Sequence, residues 1–326
     1  QVEDEVMSNS LVYFLITVLS YPFLALFNAG AAFYRAGGNS RFPMKVSVIS
    51  NIINICGNAI FIYIFKWGVG GAALSTLLSR IFCTVVIFYC LRKPKEVIVV
   101  RDYMKIRPDW PLIWKIMAIG IPSGIENGMF QFGKLSIQST VSAMGTMAIA
   151  AQAMTNILEN VNGIFGIGVG IGLMTVVGQC IGAGRKEEAK YYIVKLVGVA
   201  EVGILLSCLF VFAITKPVTW LAGMEAESAA MCFEMITAIT IVKPLVWVGS
   251  FVIGYGLRAA GDVKFSMIVS TLTMWFCRVA LCVFLVKAYH FGPMAVWIGM
   301  FADWAIRGII FTCRFFSGKW LNGTII

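Results

Sequence analysis

Seven ionisable side chains lie deep within long apolar runs, where a charge is costly and is a functional candidate by default. A carboxylate in such a place can bind Na⁺ through its oxygens or hold a proton, and a neighbouring cation can take the place of either. Reversible ion exchange is therefore the chemistry that these residue types offer. The seven residues are Arg80, Glu126, Glu159, Glu201, Lys243, Arg278 and Asp303.

The elements that carry these side chains are predicted to be membrane helices. Hydrophobic residues make up 59% of the 326 residues, charged residues 13%, and the mean hydropathy is +0.85. A soluble chain needs more charge to cover its surface. Apolar runs of about 20 residues fit a hydrocarbon core about 30 Å thick. The composition predicts an all-α polytopic membrane protein.

The net charge of +10 does not indicate a nucleic-acid partner, because the basic residues lie in short loops between the apolar runs. The nine cysteines are scattered without CxxC spacing, and His290 is the single histidine. We therefore expect free thiols, no metal site and no histidine-dependent catalysis.

A turn near the end of the first apolar run occurs a second time. The sequence Arg-Ala-Gly-Gly-Asn at 35–39 is matched by Arg-Ala-Ala-Gly-Asp at 258–262, and the two copies stand 223 residues apart. The same offset aligns Gly71 with Met294, where each copy begins another apolar run. Two related halves built from membrane spans are typical of secondary transporters, whose substrate path runs between the halves.

Nine spans are expected, and basic residues follow every second one. Such loops are cytoplasmic by the positive-inside rule, so the first span is predicted to begin outside. The predicted spans are 11–33, 44–65, 69–91, 112–141, 147–180, 193–215, 229–256, 266–287 and 293–315.

Equal halves of six spans would require three further spans before this sequence, so we expect a fragment of a twelve-span protein. Residues 1–91 would be the remnant of an N-terminal lobe with three spans. Residues 92–111, which are polar and contain three prolines, would form a cytoplasmic linker. Residues 112–326 would form a C-terminal lobe with six spans.

Five glycines between 163 and 172 do not form a dinucleotide-binding loop, because they lie within an apolar span. The spacing of Gly166 with Gly170, and of Gly168 with Gly172, predicts close packing against neighbouring helices instead.

Four motifs together resemble the multidrug and toxic compound extrusion (MATE) family. They are Val-Gly-Gln-Cys-Ile-Gly-Ala-Gly at 177–184, Ala-Ile-Ala-Ala-Gln at 148–152, Gly-Val-Gly-Gly-Ala-Ala at 68–73 and the repeated turn. The resemblance covers essentially the whole chain, as spans four to twelve of twelve. It implies a two-lobe bundle with pseudo-two-fold symmetry that rocks around a central cavity. It also implies export of amphiphilic, often cationic compounds in exchange for Na⁺ or H⁺.

The resemblance places Glu126, Glu159, Lys243 and Arg278 on helices that line the cavity. Glu126 and Glu159 are the candidates for cation coupling, and Lys243 is expected to pair with one of them when substrate is absent. The remaining cavity candidates are Arg278, Trp247, Gln131, Asn156 and Asn160.

The chain departs from the family at two positions. Phe130 stands where the best-known carboxylate of that helix is expected, one turn after Glu126, and Trp247 stands where an aspartate of the tenth span is expected. Asp303 falls on a peripheral helix, where pairing with Arg307 four residues later is the favoured role. Structural pairing or snorkelling is likewise expected for Arg80 and Glu201.

The sequence thus predicts a monomeric exporter in a bacterial-type inner membrane, with lipid and a small-molecule substrate as partners. No cofactor beyond the coupling ion and no enzymatic activity are expected. A lipid-linked saccharide flippase is the alternative, and it would favour a more basic cavity than Lys243 and Arg278 provide. A membrane-embedded enzyme would need a clustered catalytic set, and a channel would need a filter-like loop.

Overall fold

The computed structural model describes residues 4–92, 99, 108–289 and 291–322. The predicted linker 92–111 lies largely outside these residues, as does His290. The described residues form helices joined by short turns. They are α1 (Asp4–Ala36), α2 (Arg41–Ala59) continued by a π-helical turn (Ile60–Ile64), α3 (Gly68–Leu91), α4 (Trp110–Ser142), α5 (Thr146–Gly182), α6 (Lys186–Leu221), α7 (Ala226–Ala259), α8 (Val263–Thr273), a π-helical turn (Met274–Ala280), α9 (Leu281–Tyr289), α10 (Met294–Phe316) and a 3₁₀ turn (Lys319–Asn322).

All nine predicted spans coincide with helices, and eight of the helical segments are long and apolar enough to cross a membrane. The other segment is α4, which has 33 residues but includes Lys115, Glu126 and Lys134. Its lower hydropathy has a structural reason, since several of its polar residues, Glu126 and Lys134 among them, line cavities described below. The fold is that of an all-α, multi-pass membrane protein.

The chain divides into two compact units, residues 1–108 and 109–326. The boundary falls within the predicted linker, and the assignment of the units to lobes of a larger protein stays a prediction.

The repeated turn has the same geometry in both copies. Gly38 and Gly261 have φ angles of +83° and +95°, a conformation that glycine adopts without steric cost. In each copy the next residue donates a backbone hydrogen bond to the carbonyl five residues earlier, Asn39 to Tyr34 at 2.9 Å and Asp262 to Leu257 at 3.0 Å. This closes each helix as a Schellman motif and explains the small residues that the two copies share.

In the first unit, α3 packs against both α1 and α2, and hydroxyl groups join the helices. Thr84 donates to the carbonyl of Phe23 at 2.7 Å, and Ser50 donates to the carbonyl of Ser79 at 3.1 Å. Arg80 donates to the Ser20 hydroxyl at 2.5 Å. Arg80 thus has a polar partner within the unit, in line with the structural role expected for it.

In the second unit, α7 is central and packs against α5, α6 and α10. We call the α5–α6–α7 interface the packed core. Gly166 of α5 lies against the Trp247 ring and Ile204, and Gly170 lies against the Tyr255 ring. A Cβ atom at either glycine would overlap with these rings. Gly168 and Gly172 have no atom within 4 Å of an added Cβ among the described residues. The close packing predicted for Gly166 and Gly170 is therefore present. The packing predicted for Gly168 and Gly172 is not found within the part of the chain that the structure describes.

The π-helical turn between α8 and α9 brings its backbone close to α10. An added Cβ at Gly299 would lie 2.9 Å from the Arg278 carbonyl oxygen and 3.2 Å from that of Cys277. The wider π-helical turn and the small residue opposite it together allow this approach. As a result, Arg278 is directed toward α10, where Asp303 lies.

Candidate functional site

Two neighbouring cavities lie within the second unit, and α4 forms a wall of each. We call the first, of about 350 Å³, the aromatic cavity, because Phe130, Phe251, Tyr255 and Phe311 line it. We call the second, of about 480 Å³, the amide cavity, because five amide side chains line it. These are Gln131, Gln138, Gln152, Asn156 and Asn160. Gln131 and Lys134 line both cavities. Volumes of this size suit small-molecule ligands.

Glu126 lies in the wall of the aromatic cavity, one turn beyond Pro122 of α4. Its Oε1 accepts a hydrogen bond from Nη1 of Arg258 at 2.9 Å, and the guanidinium lies 4.9 Å from the Tyr255 ring centroid. The ion pair connects α4 to the end of α7. This partner is not among the sequence-based expectations, because the alternation of basic loops places Arg258 in a cytoplasmic turn. The sequence feature that singles out Arg258 is that it begins the second copy of the repeated turn.

Glu159 of α5 lines the amide cavity and pairs with Lys243 of α7. The Lys243 ammonium donates to Oε1 of Glu159 at 2.7 Å and to its backbone carbonyl at 3.4 Å. The Lys243 side chain is fully buried, whereas Glu159 is 17% exposed. Of the two partners predicted for Lys243, the structure places Glu159 beside it.

Asp303 of α10 is fully buried between two guanidinium groups. Its Oδ2 lies 3.3 Å from Nη2 of Arg278 and 3.4 Å from Nη2 of Arg307. The predicted pairing with Arg307 is present, and Arg278 is an additional partner. Arg307 lines the aromatic cavity and Arg278 lines the amide cavity. Asp303, behind the walls, is therefore the ion-pair partner of one arginine from each cavity.

The cluster leaves several polar atoms unsatisfied. Within the part of the chain that the structure describes, Oδ1 of Asp303 and Nε of both arginines have no hydrogen-bond partner. Arg307 instead packs its guanidinium 4.3 Å from the Phe251 ring centroid. One carboxylate therefore offsets two buried cations.

The remaining predicted residues divide between the cavities and the packed core. Gln131, Asn156 and Asn160 line the amide cavity. Trp247, predicted to face a cavity, is instead 3% exposed and stacks on Phe251 with centroids 4.7 Å apart. The Trp247 ring packs in the packed core because Gly166 has no side chain to occupy that space. The contact joins two helices, so the order of residue types along one helix does not reveal it.

Phe130 lies in the aromatic cavity wall at the position where the family resemblance expected a carboxylate. Its ring centroid lies 5.5 Å from the Arg307 guanidinium and 5.9 Å from that of Arg278. The ring thus covers the charged cluster, and the carboxylate of this wall is Glu126.

Two family models match the chain. The MatE model matches residues 122–284, half of the chain, and the model "Lipid II flippase MurJ" matches residues 2–122.

Curated relatives are similar to this chain over more residues than the MatE model matches. The "Probable multidrug resistance protein NorM" of Thermotoga maritima is 26% identical over 99% of this chain and 70% of its own length. The "Multidrug and toxin extrusion protein 1" of Oryctolagus cuniculus is 23% identical over 78% of this chain and 44% of its own length.

Solved structures show the same fold. A MATE protein in complex with MaL6 superposes with a TM-score of 0.86 at 18% identity, over 94% of this chain and 70% of that one. An outward-facing MATE transporter of the MOP superfamily superposes with a TM-score of 0.85 at 19% identity and the same coverage. Together with the matched family model, these findings show that the chain belongs to the MATE family of transporters and is a multi-pass protein of the plasma membrane.

Proposed function

We propose that this chain is a secondary active antiporter that exports amphiphilic drugs or metabolites in exchange for Na⁺ or H⁺. The observation that carries the proposal is the placement of two carboxylates in cavity walls, each held by one basic side chain from α7. Glu126 pairs with Arg258, and Glu159 pairs with Lys243. The names of the relatives, which describe multidrug resistance and toxin extrusion, support the substrate class.

The ion pairs supply a physical basis for coupling. A proton or Na⁺ on Glu159 removes the charge that holds Lys243, and a cation on Glu126 does the same for Arg258. Each event weakens a link between α7 and a neighbouring helix, α5 in one case and α4 in the other. Ion loading would thereby shift the population between conformations that open to opposite sides of the membrane. The unit of transport would be the monomer.

The proposal is tested by efflux from proteoliposomes that contain the protein and a fluorescent amphiphile such as ethidium. Na⁺ and H⁺ gradients are imposed separately, so that the driving ion is identified. We expect Glu126→Gln and Glu159→Gln to reduce gradient-driven efflux by about tenfold or more, since neither amide exchanges a proton. Glu234→Gln is the matched control, because Glu234 lies on α7, is exposed and lines neither cavity.

Efflux that is unaffected by both substitutions would refute the assigned role of the carboxylates. Correct insertion with no efflux of ethidium, which is cationic, and none of an anionic probe such as 1-pyrenesulfonate, under either gradient, would refute the antiporter itself.

A lipid-linked saccharide flippase is the second candidate, and two observations favour it. The flippase model matches residues 2–122, and the cavities contain more basic groups than the sequence indicated, because Arg258 and Arg307 join Lys134 in the aromatic cavity. Translocation of a fluorescent polyprenyl-pyrophosphate saccharide across the same vesicles, without an imposed ion gradient, would support the flippase over the antiporter.

A further inference from the structure

We infer that the aromatic cavity binds the anionic group of an amphiphile, so that the preferred substrates are anions with a flat apolar part. This inference rests on the proposed transport function and names its substrate class. It differs from the expectation of cationic substrates that the family resemblance gives. It is carried by the charge and the burial of the groups around the cavity.

The charged groups in the wall of the aromatic cavity are predominantly basic. Lys134, Arg258 and Arg307 line it, together with a single carboxylate, Glu126. When the amide cavity and the ion pairs are included, Arg278 and Lys243 raise the number of basic groups to five. The carboxylates number three, because Glu159 and Asp303 join Glu126. The excess is two positive charges: one is the exposed Lys134, and the other belongs to the buried Arg278–Arg307 pair that shares Asp303, where an unpaired charge is expensive. A bound anion would lower this cost.

Two of these cations have hydrogen-bonding capacity to spare. Arg278 and Arg307 are 4% and 2% exposed, and they share one oxygen of Asp303 at 3.3 and 3.4 Å. Among the described residues, the Nε atom of each is without a partner. A guanidinium group has five N–H donors suited to carboxylate, sulfonate or phosphate oxygens.

Lys134 supplies the accessible cation. It is exposed, lies where the two cavities adjoin, and has no carboxylate within ion-pair distance in the described part of the chain. Arg258, in contrast, is already held by Glu126. Lys134 and Arg307 are therefore the side chains assigned to the anion.

The apolar lining fits the rest of such a ligand. Four aromatic side chains, Phe130, Phe251, Tyr255 and Phe311, line a volume of about 350 Å³. Aromatic surfaces favour flat apolar groups, while the basic groups fix their orientation. The wall thus combines a ring-binding surface with an anion-binding end.

An anionic ligand also implies different roles for the two carboxylates, Glu126 and Glu159. A cation bound at Glu126 would release Arg258 and attract an anion into the same cavity, so ion and substrate would bind together there. Competition between the coupling ion and the substrate, which antiport requires, would then depend on Glu159 in the amide cavity.

The test uses two probes with the same ring system and opposite charge, 1-pyrenesulfonate and 1-pyrenemethylammonium. Their dissociation constants are measured by equilibrium dialysis with the protein in nanodiscs of zwitterionic lipid and no ion gradient. We expect the sulfonate to bind at least about tenfold more tightly than the ammonium, the size of effect given by one charge-assisted hydrogen bond.

The variants locate the site. Lys134→Gln should weaken sulfonate binding about tenfold, and Lys134→Arg should retain it. Lys216→Gln is the control and should leave binding unchanged, because the Lys216 ammonium lies over Phe233, away from both cavities. Asn127→Trp, which fills the aromatic cavity, should block binding. Asn160→Trp, which fills the amide cavity, should not.

Equal or tighter binding of the ammonium, no effect of Lys134→Gln, or a block by Asn160→Trp in place of Asn127→Trp would each overturn the inference. Farnesyl pyrophosphate serves as a competitor. Displacement of the sulfonate at low concentration would support a lipid-linked anion, and displacement only by soluble aromatic anions would support a soluble substrate.

Since binding is measured without a gradient, the result is independent of transport. Selective sulfonate binding without efflux would contradict the antiporter and leave the anion site intact. Efflux without anion preference would contradict the anion site alone.

Discussion

The packed core and the cavity walls of the second unit use the same helix, α7, in opposite ways. Toward α5, its Trp247 and Tyr255 rings lie directly on glycines, so that the helices are in close contact. Toward α4, Arg258 reaches Glu126 across a cavity lined by aromatic and polar groups. The glycine–ring contacts with α5 contain no ionisable group, whereas each ion pair of α7, with Glu159 of α5 or with Glu126 of α4, can be broken by one proton or one ion. The difference indicates a rigid scaffold next to walls that respond to charge.

The largest expected effect comes from the buried charges behind those walls. Asp303→Asn leaves Arg278 and Arg307 buried without a carboxylate and should lower the free energy of unfolding by about 3–5 kcal/mol. Asp262→Asn is the matched control, because its partner Arg314 is 25% exposed and water can replace the lost interaction. Thermal unfolding in detergent measures both. An equal loss for the two variants would show that burial does not set the strength of these pairs.

The two proposed coupling carboxylates should also differ in their contribution to stability. Glu159→Gln leaves the fully buried Lys243 without a counterion, whereas Glu126→Gln leaves an arginine that is 18% exposed. We expect a loss of about 2–3 kcal/mol for the first and about 1 kcal/mol for the second. The same unfolding assay compares them. A larger loss for Glu126→Gln would reverse the ranking of the two pairs.

The packed core is tested by adding volume to a glycine. Gly166→Leu must displace the Trp247 ring and Ile204, and should lower the free energy of unfolding by about 2 kcal/mol. Gly168→Leu, on the same helix with open space around it, is the control and should change stability little. If both variants unfold at the same temperature, the close contact is not a determinant of stability.

The smallest effect is expected at the surface. Arg185 and Glu188 form an exposed pair at 3.6 Å, and Glu188→Gln should change the free energy of unfolding by no more than about 0.5 kcal/mol. This variant gives the baseline for the three comparisons above. A loss as large as that of Glu159→Gln would mean that charge alone, without burial, explains the earlier differences.

The sequence by itself determined the helical class and the positions of the helices, because hydropathy along a chain is a local property. It also identified the repeated turn, since the hydrogen bonds that close it join residues five apart. The ionisable residues inside the spans were visible for the same reason. The Asp303–Arg307 pair could be predicted because both residues lie on one helix face.

Only the tertiary structure decided which charges meet across helices. Glu126 lies 132 residues from Arg258 in the chain, and Glu159 lies 84 residues from Lys243. Whether Trp247 faces a cavity or the packed core depends on the space left by Gly166 on another helix. Likewise, the excess of positive charge in the aromatic cavity arises from the convergence of α4, α7 and α10. Such contacts depend on the rotation and depth of each helix, which side-chain packing sets and residue order alone does not.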